Sequence, residues 1–202
     1  MTVQNPRPAN GLANLEKRLA EDLSLLELPP KDWVPATEYD GRRVYDAVVI
    51  GAGMCGLVAA ASLKMLGIFN VICLDRAPEG LEGPWITYAR METLRSPKQL
   101  TGPALGLPAL TFRAWYVAQF GAEAWEALGK IPKDQWMEYL VWYRKVLALP
   151  VRNLVTVTDM APVGENLIAL DATDKASGRE ERIYARHVIL ATNAYTPPAL
   201  VE

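Results

Sequence analysis

Two cysteines and a single histidine are all that this 202-residue sequence holds of the side chains that most readily ligate transition metals or attack substrates. Neither Cys55 nor Cys73 has a CxxC partner, which excludes a zinc site, a dithiol redox pair and a disulfide framework as readings. Both cysteines fall in segments that read as buried. His187 lies far along the chain, so no cysteine–histidine nucleophile pair is supported. No excess of one charge is present either: 21 basic residues are scattered among 23 acidic ones for a net charge of −2. A nucleic-acid partner, which needs clustered Lys and Arg to neutralise phosphates, is therefore not expected. Long apolar runs are also missing. The most apolar stretch, Val48 to Leu66, is broken by Gly51, Gly53, Gly56 and Lys64 and falls short of the roughly 18 uncharged residues of a membrane helix. Met1 to Leu12 lacks the basic start, apolar run and small-residue cleavage site of a signal peptide, and a reduced, cytoplasmic setting is expected.

What is present is the composition of an ordinary globular protein, half hydrophobic and 22% charged, long enough for one domain with an appendage. Leu12, Leu15, Leu19, Leu23 and Leu26 recur at helical spacing, so residues 11 to 28 read as an amphipathic packing helix ended by Pro29-Pro30. A polar, proline-bearing connector, Lys31 to Arg43, completes an N-terminal unit of residues 1 to 43. Val44 to Ile50 is rich in β-branched residues and reads as a buried strand. Glycines come at once after it, then an alanine- and leucine-rich helix to Leu66 closed by Gly67. Val71 to Asp75 is the next strand, completing a β-α-β unit.

The glycines are Gly51, Gly53 and Gly56, in Gly51-Ala-Gly-Met-Cys-Gly56. Three glycines at this spacing arise by chance on the order of 0.07 times in a chain of this length, so alone they are weak evidence. Their context is specific, because the motif succeeds a strand, opens a helix and is answered by Asp75, 75 − 51 = 24 positions after the first glycine. Gly51 permits the tight turn, Gly53 lets backbone approach a pyrophosphate, and Gly56 lets the helix pack closely on the strands. The helix N-terminus offers free N–H groups to phosphates. Asp75 can accept hydrogen bonds from a ribose hydroxyl pair.

Nicotinamide and flavin dinucleotides share this fingerprint, and the order of elements after Asp75 decides between them. A nicotinamide domain continues directly into further parallel strands. Here a Gly- and Pro-dense excursion from Pro78 to Pro108 comes first, then helical patterns at Phe112 to Phe120 and Lys133 to Leu149. Strand-like runs come next at Leu154 to Thr158, Asn166 to Ala172 and Arg182 to Leu190, with turn signals at Pro162-Val-Gly164 and Ser177-Gly178. The expected fold is α/β: a Rossmann-like FAD-binding domain over residues 44 to 202, a parallel sheet with helices, carrying a helical insertion over about 85 to 150 and an antiparallel β-meander over about 154 to 190. The meander leads into a returning parallel strand, Val188 to Thr192, as in the FAD domains of two-dinucleotide flavoproteins.

Asp46-Ala-Val-Val-Ile-Gly-Ala-Gly-Met-Cys-Gly-Leu57 resembles the FAD fingerprint of class B flavoprotein monooxygenases, and Glu82-Gly-Pro-Trp85 resembles their glycine–tryptophan element. Leu94-Arg-Ser-Pro97, Leu110-Thr-Phe112 and Ile131 to Leu140 with Trp142 are similar to the lysine and ornithine N-hydroxylating members. The resemblance covers roughly residues 44 to 192. It departs at Asn193, where the family pattern has glycine, and no second GxGxxG occurs after Gly56.

The resemblance implies an FAD-dependent oxidoreductase in which NAD(P)H reduces FAD and an oxygen atom passes to an amine or other soft nucleophile. The cofactor carries the hard chemistry while the protein orients it. Gly51, Ala52, Gly53, Met54, Cys55, Gly56, Asp75, Arg76 and Thr192 are then the cofactor-binding candidates. Trp85, Arg95 and Lys98 lie toward the isoalloxazine or substrate, or else are ordinary loop structure. No metal ligands and no catalytic residue are assigned. NAD(P)H requires a second domain or a partner, so self-association or a partner subunit is expected beside a small-molecule substrate. The alternatives are a non-catalytic or partial FAD-binding subunit and a small NAD(P)-dependent reductase.

Overall fold

A computed structural model of the chain describes residues 10 to 192. Asn193 lies outside them. Seven strands of the described residues form one sheet in the order β4-β3-β2-β7-β6-β5, with β1 paired to the start of β2. The strands are β1 (Thr37–Tyr39), β2 (Arg42–Ile50), β3 (Val71–Leu74), β4 (Val151–Arg152), β5 (Val155–Val163), β6 (Leu167–Asp174) and β7 (Glu180–Leu190). The helices are α1 (Gly11–Leu25), α2 (Met54–Met65), α3 (Phe112–Phe120), α4 (Ala122–Ala127) and α5 (Lys133–Val146).

β2 is the hub of the sheet. It runs parallel to β3 through Ala47 to Ile50 and parallel to β7 through Val44 to Ile50. Central parallel strands are covered on both faces, which explains why Ala47, Val48 and Val49 are all buried and why the segment reads as a continuous apolar run. Their side chains alternate in direction. Ala47 and Val49 pack with Val71, Cys73 and the α2 residues Leu57, Ala60 and Ala61. Val48 faces the other way and packs with Ile72, Leu74, Val155 and Leu170.

β7 does two jobs in one uninterrupted strand. Its first half, Glu180 to Ala185, pairs antiparallel with β6, and its second half, Tyr184 to Leu190, pairs parallel with β2. The meander and the returning strand read from the sequence are therefore continuous. β5 and β6 extend beyond the expected runs, and the turn between them falls at residues 164–166 rather than at Pro162-Val-Gly164, because Pro162 and Val163 still pair with Ile168 and Leu167.

The connector expected over Lys31 to Arg43 contains a hairpin instead. β1 pairs with residues 42–44 of β2 across Asp40-Gly41, whose φ values of 52° and 66° are those of a two-residue turn that matches strand twist. α4 was not expected either. It is a six-residue helix between Gly121 and Leu128.

The insertion is built around aromatic rings. Phe112, 1% exposed, lies 5.4–6.3 Å from the rings of Trp115, Tyr116, Trp125, Trp136 and Tyr139. α3 starts at Thr111, whose hydroxyl accepts the Ala114 N–H at 3.1 Å, a side-chain cap of the kind worth about 1 kcal/mol. α1 packs into the same core through Leu15 and Leu19, each stabilising by roughly 1.5–3 kcal/mol through burial. Glu16 accepts the Trp142 indole N–H at 3.0 Å and joins α1 to α5.

Candidate functional site

The C-terminal ends of β2, β3 and β7 meet at the glycine turn. Gly51 N–H donates to the Leu74 carbonyl at 2.8 Å, and the Ala191 N–H donates to the Ile50 carbonyl at 2.9 Å. Gly51 has φ of +100°, and a Cβ there would stand 2.9 Å from the Ala191 carbonyl oxygen. Both the dihedral and the neighbour demand glycine. At Gly56 a Cβ would lie 1.8 Å from the Gly51 carbonyl oxygen, so the turn closes on the first helical residues of α2 only without a side chain. Gly53 differs from both. A Cβ there would meet only the Gly83 backbone at an ordinary 3.6 Å, so the folded chain itself leaves room for one.

α2 opens at Gly53 without a side-chain cap. Its first N–H groups therefore have no intrahelical partner and face the loop, which is the physical basis of anion binding at such a terminus. Asp75 sits one residue past β3, 8% exposed. One carboxylate oxygen accepts the Ala52 N–H at 2.7 Å and the other accepts the Ala77 N–H at 2.7 Å. A carboxylate offers about four lone-pair sites, so capacity is left for hydroxyls arriving from the open side. Thr192 comes directly after Ala191, with its backbone N 3.4 Å from where a Gly51 Cβ would be.

The segment after β3 folds back over this turn. Gly83, with φ of +72°, lies against Gly53 and beside the Trp85 indole nitrogen. Trp85 packs edge-on to Trp136 at 6.1 Å, and its Nε1 is buried without a hydrogen-bond partner among the described residues. An orphaned donor costs about 1–3 kcal/mol, and an acceptor arriving over Gly53 and Gly83 would satisfy it. A cradle at Gly53, uncapped N–H groups, a carboxylate at the strand end and an orphaned indole donor together fit a dinucleotide.

The structure thus brings together Gly51 to Gly56, Asp75, Trp85 and Thr192, with Arg76 exposed next to Asp75. It does not bring in the others. Lys98 donates to the carbonyls of Trp125 and Leu128, each at 2.6 Å, and lies 4.9 Å over the Trp125 ring. That cation closes the C-terminal end of α4. Arg95 is exposed and makes no hydrogen bond or ion pair with the described residues. Cys55, expected to be buried, is exposed, whereas Cys73 is buried. Cys55 occupies the second position of α2, where the helix has only just left the glycine turn and the sheet does not yet cover it. Burial pushes the Cys73 thiol up to about 12, with Arg144 opposing and Asp75 adding to the rise.

Arg144 and Asn153 carry no sequence motif, and Glu82 lies in the Glu82-Gly-Pro-Trp85 element without a role read from it. Glu82 is 4% exposed and accepts from Arg144 Nη1 at 3.0 Å and from Asn153 Nδ2 at 2.6 Å. Their signal is the arginine itself, which continues the buried stripe of Met137, Leu140 and Trp136 along α5. A cation on an apolar stripe calls for a buried carboxylate partner.

A parallel β-α-β core whose returning strand emerges from an antiparallel meander, with a glycine turn at the strand ends, defines a Rossmann-like dinucleotide-binding protein. Comparison with known proteins makes the class specific. Residues 48–194 match the FAD-NAD(P)-binding family, and the chain belongs to that family. It is 46% identical over 181 residues to an FAD-dependent urate hydroxylase of Xanthomonas campestris pv. campestris, a match covering 90% of this chain and 37% of that relative. The chain thus spans little more than a third of the length of that relative. Among solved structures, a flavin-containing monooxygenase from Stenotrophomonas maltophilia aligns with a TM-score of 0.55 at 28% identity, over 75% of this chain and 40% of the other. The cadaverine monooxygenase of Erwinia amylovora, solved with FAD bound, shares the fold with a TM-score of 0.60 at 17% identity, over 78% of this chain and 38% of that one.

Proposed function

We infer that this chain is the FAD-binding portion of an NAD(P)H-dependent flavin monooxygenase. The observation that carries the reading is the glycine turn held between β3 and β7, with Gly53 open to a ligand and the Asp75 carboxylate directed into the loop. In this assignment the N–H groups at the start of α2 take the pyrophosphate, Asp75 takes the ribose hydroxyls, Arg76 lies by the adenosine, and Trp85 and Thr192 flank the path toward the ring. When bound, FAD supplies the redox chemistry for oxygen insertion. The residues of this chain bind and orient it, and the Gly83–Trp85 segment covers the turn against water.

The 46% identity to a urate hydroxylase supports a purine such as urate as the substrate to test first. The cadaverine monooxygenase shares the fold at 17% identity, in keeping with the sequence resemblance, and an amine is the second substrate to test. NAD(P)H is the reductant on this reading, with its site supplied from outside this sequence, by further polypeptide or by a partner. The two free cysteines support a reducing, cytoplasmic setting. Among the described residues, no helix is long and apolar enough to cross a membrane.

The test is reconstitution. The purified chain, incubated with FAD and desalted, is expected to retain a flavin spectrum at close to one equivalent, and, together with the polypeptide or partner that supplies the NAD(P)H site, to oxidise NADPH faster when urate is added. A chain that folds but emerges colourless overturns the binding assignment. A yellow protein whose NADPH oxidation ignores urate overturns the substrate alone.

A further inference from the structure

Arg144 projects from α5 into a space between the helical insertion and the strand ends, where three of its five N–H donors are used. Nη1 donates to Glu82 Oε1 at 3.0 Å and to Asn153 Oδ1 at 2.8 Å, and Nη2 donates to the Val151 carbonyl at 3.2 Å, with Glu79 at 3.8 Å. Asn153 Nδ2 in turn donates to Glu82 Oε1 at 2.6 Å and to the Ala77 carbonyl at 3.0 Å. Arg144, Glu82 and Asn153 therefore form a closed ring of hydrogen bonds. Both Nη1 donors are committed within that ring. The influence of Arg144 runs through its partners.

Two lines lead from that ring to the glycine turn. Glu82 also accepts the Gly80 N–H at 2.8 Å, which fixes the chain immediately before Gly83, whose backbone lies against Gly53. Asn153 holds the Ala77 peptide from its carbonyl side, and the N–H of Ala77 donates to Asp75, which itself holds Ala52. Both walls of the crevice thus have a side-chain link to one arginine on the insertion, beside the backbone bonds that Arg152, Leu154 and Val155 make to residues 75 and 77.

We propose that Arg144 is a positioning residue for the bound dinucleotide: acting through Glu82 and Asn153, it fixes the segments 75–77 and 82–85 that flank the glycine turn. The proposal rests on the reading that this turn holds FAD. It assigns the helical insertion a role in cofactor retention, since α5 reaches the site only through this side chain among the hydrogen bonds and ion pairs of the described residues. Hydrogen-bonded networks of this kind rigidify the groups they join. Preorganised binding groups hold ligands more tightly because less ordering remains to be done on binding.

The experiment must separate positioning from stability, because removing Arg144 alone strands a buried carboxylate. The double substitution Glu82→Met with Arg144→Met replaces the ion pair by apolar side chains, an exchange that often preserves stability. Asn153→Leu keeps the Glu82–Arg144 pair and removes the three side-chain hydrogen bonds of Asn153, to Arg144, Glu82 and Ala77. For both, the FAD dissociation constant is measured by titration, the melting temperature by calorimetry, and amide exchange of residues 51–53 and 79–86 without FAD. We expect a melting temperature near wild type for the double variant and a somewhat lower one for Asn153→Leu, which leaves Arg144 and Glu82 each one partner short, and in both at least about tenfold weaker FAD binding and at least about tenfold faster exchange in those two segments. Should the double variant fail to fold, Asn153→Leu decides the matter by itself. FAD binding and exchange unchanged in the folded variants overturn the positioning role while leaving the FAD assignment intact. A folded wild-type chain that does not bind FAD overturns that assignment, and this proposal with it.

Discussion

The Asp75 carboxylate and the Ala52 backbone N–H stand 2.7 Å apart, buried, and join the end of β3 to the turn at the end of β2. The acidic residue that the fingerprint assigns to the ribose is at the same time a latch for the glycine turn. With Ala77 on its other oxygen, it sets the geometry of both segments before any ligand arrives.

Asp75→Asn therefore damages two things at once. The amide keeps the shape but turns an N–H₂ toward either Ala52 or Ala77, leaving a buried donor without an acceptor at a cost of about 1–3 kcal/mol. Chemical denaturation without FAD is expected to show that loss, and titration at least about tenfold weaker FAD binding. A variant as stable as wild type but weaker for FAD would mean that the carboxylate serves the ribose alone.

Gly56→Ala is expected to harm the fold itself. Its Cβ would occupy a point 1.8 Å from the Gly51 carbonyl oxygen, and only displacement of α2 from the sheet relieves that clash. The loss should exceed the roughly 0.5–3 kcal/mol of an ordinary substitution, read as a lower denaturation midpoint or as insoluble expression. A midpoint close to wild type would contradict the packing described for α2.

The two thiols should behave differently. Cys55 is exposed beside the glycine turn, and Cys73 is buried with its thiol raised to about 12, so only Cys55 is open to a reagent in the folded chain. A disulfide reagent is expected to modify one thiol in the folded chain and two in denaturant, and FAD to slow the first reaction. Rapid modification of both would show that β3 is open.

Stability should decline in alkali. Burial raises Cys73 from 9.0 to about 12, and raises Tyr139 and Tyr143 from 10.0. Between the unfolded and folded values the native state holds more protons than the unfolded one, so the free energy of unfolding falls as pH rises. The contribution is complete below about pH 9 and is lost progressively through about pH 12. Unfolding monitored across that range checks the sign, and rising stability would contradict it.

Much of this was legible in the residues. Glycine at 51 and 56 answers steric demands made by nearby backbone, and Ala47 to Ile50 announces a doubly covered strand through its unbroken apolar character. The hairpin before it was equally written, in Asp40-Gly41, but Pro35 and the charges around it made the stretch look like a linker. Cys55 misled because its neighbours in sequence are apolar, while its direction depends on where α2 begins. Lys98 and Arg144 were not readable in role. Lys98 takes carbonyls 27 and 30 positions away and Arg144 a carboxylate 62 positions away, and side-chain type alone does not distinguish a strut from a ligand-binding group.

The most direct test uses Gly53, the one glycine of the turn whose substitution the folded chain tolerates, since its Cβ would meet Gly83 at no less than 3.6 Å. FAD binding to wild type and to Gly53→Ala, measured beside their melting temperatures, isolates the ligand's own demand for bare backbone. Near-equal melting temperatures without FAD are predicted, with tight binding to wild type and at least about a hundredfold weaker binding to the variant. Equal FAD affinity in the two folded proteins would mean that the pyrophosphate does not rest on this turn.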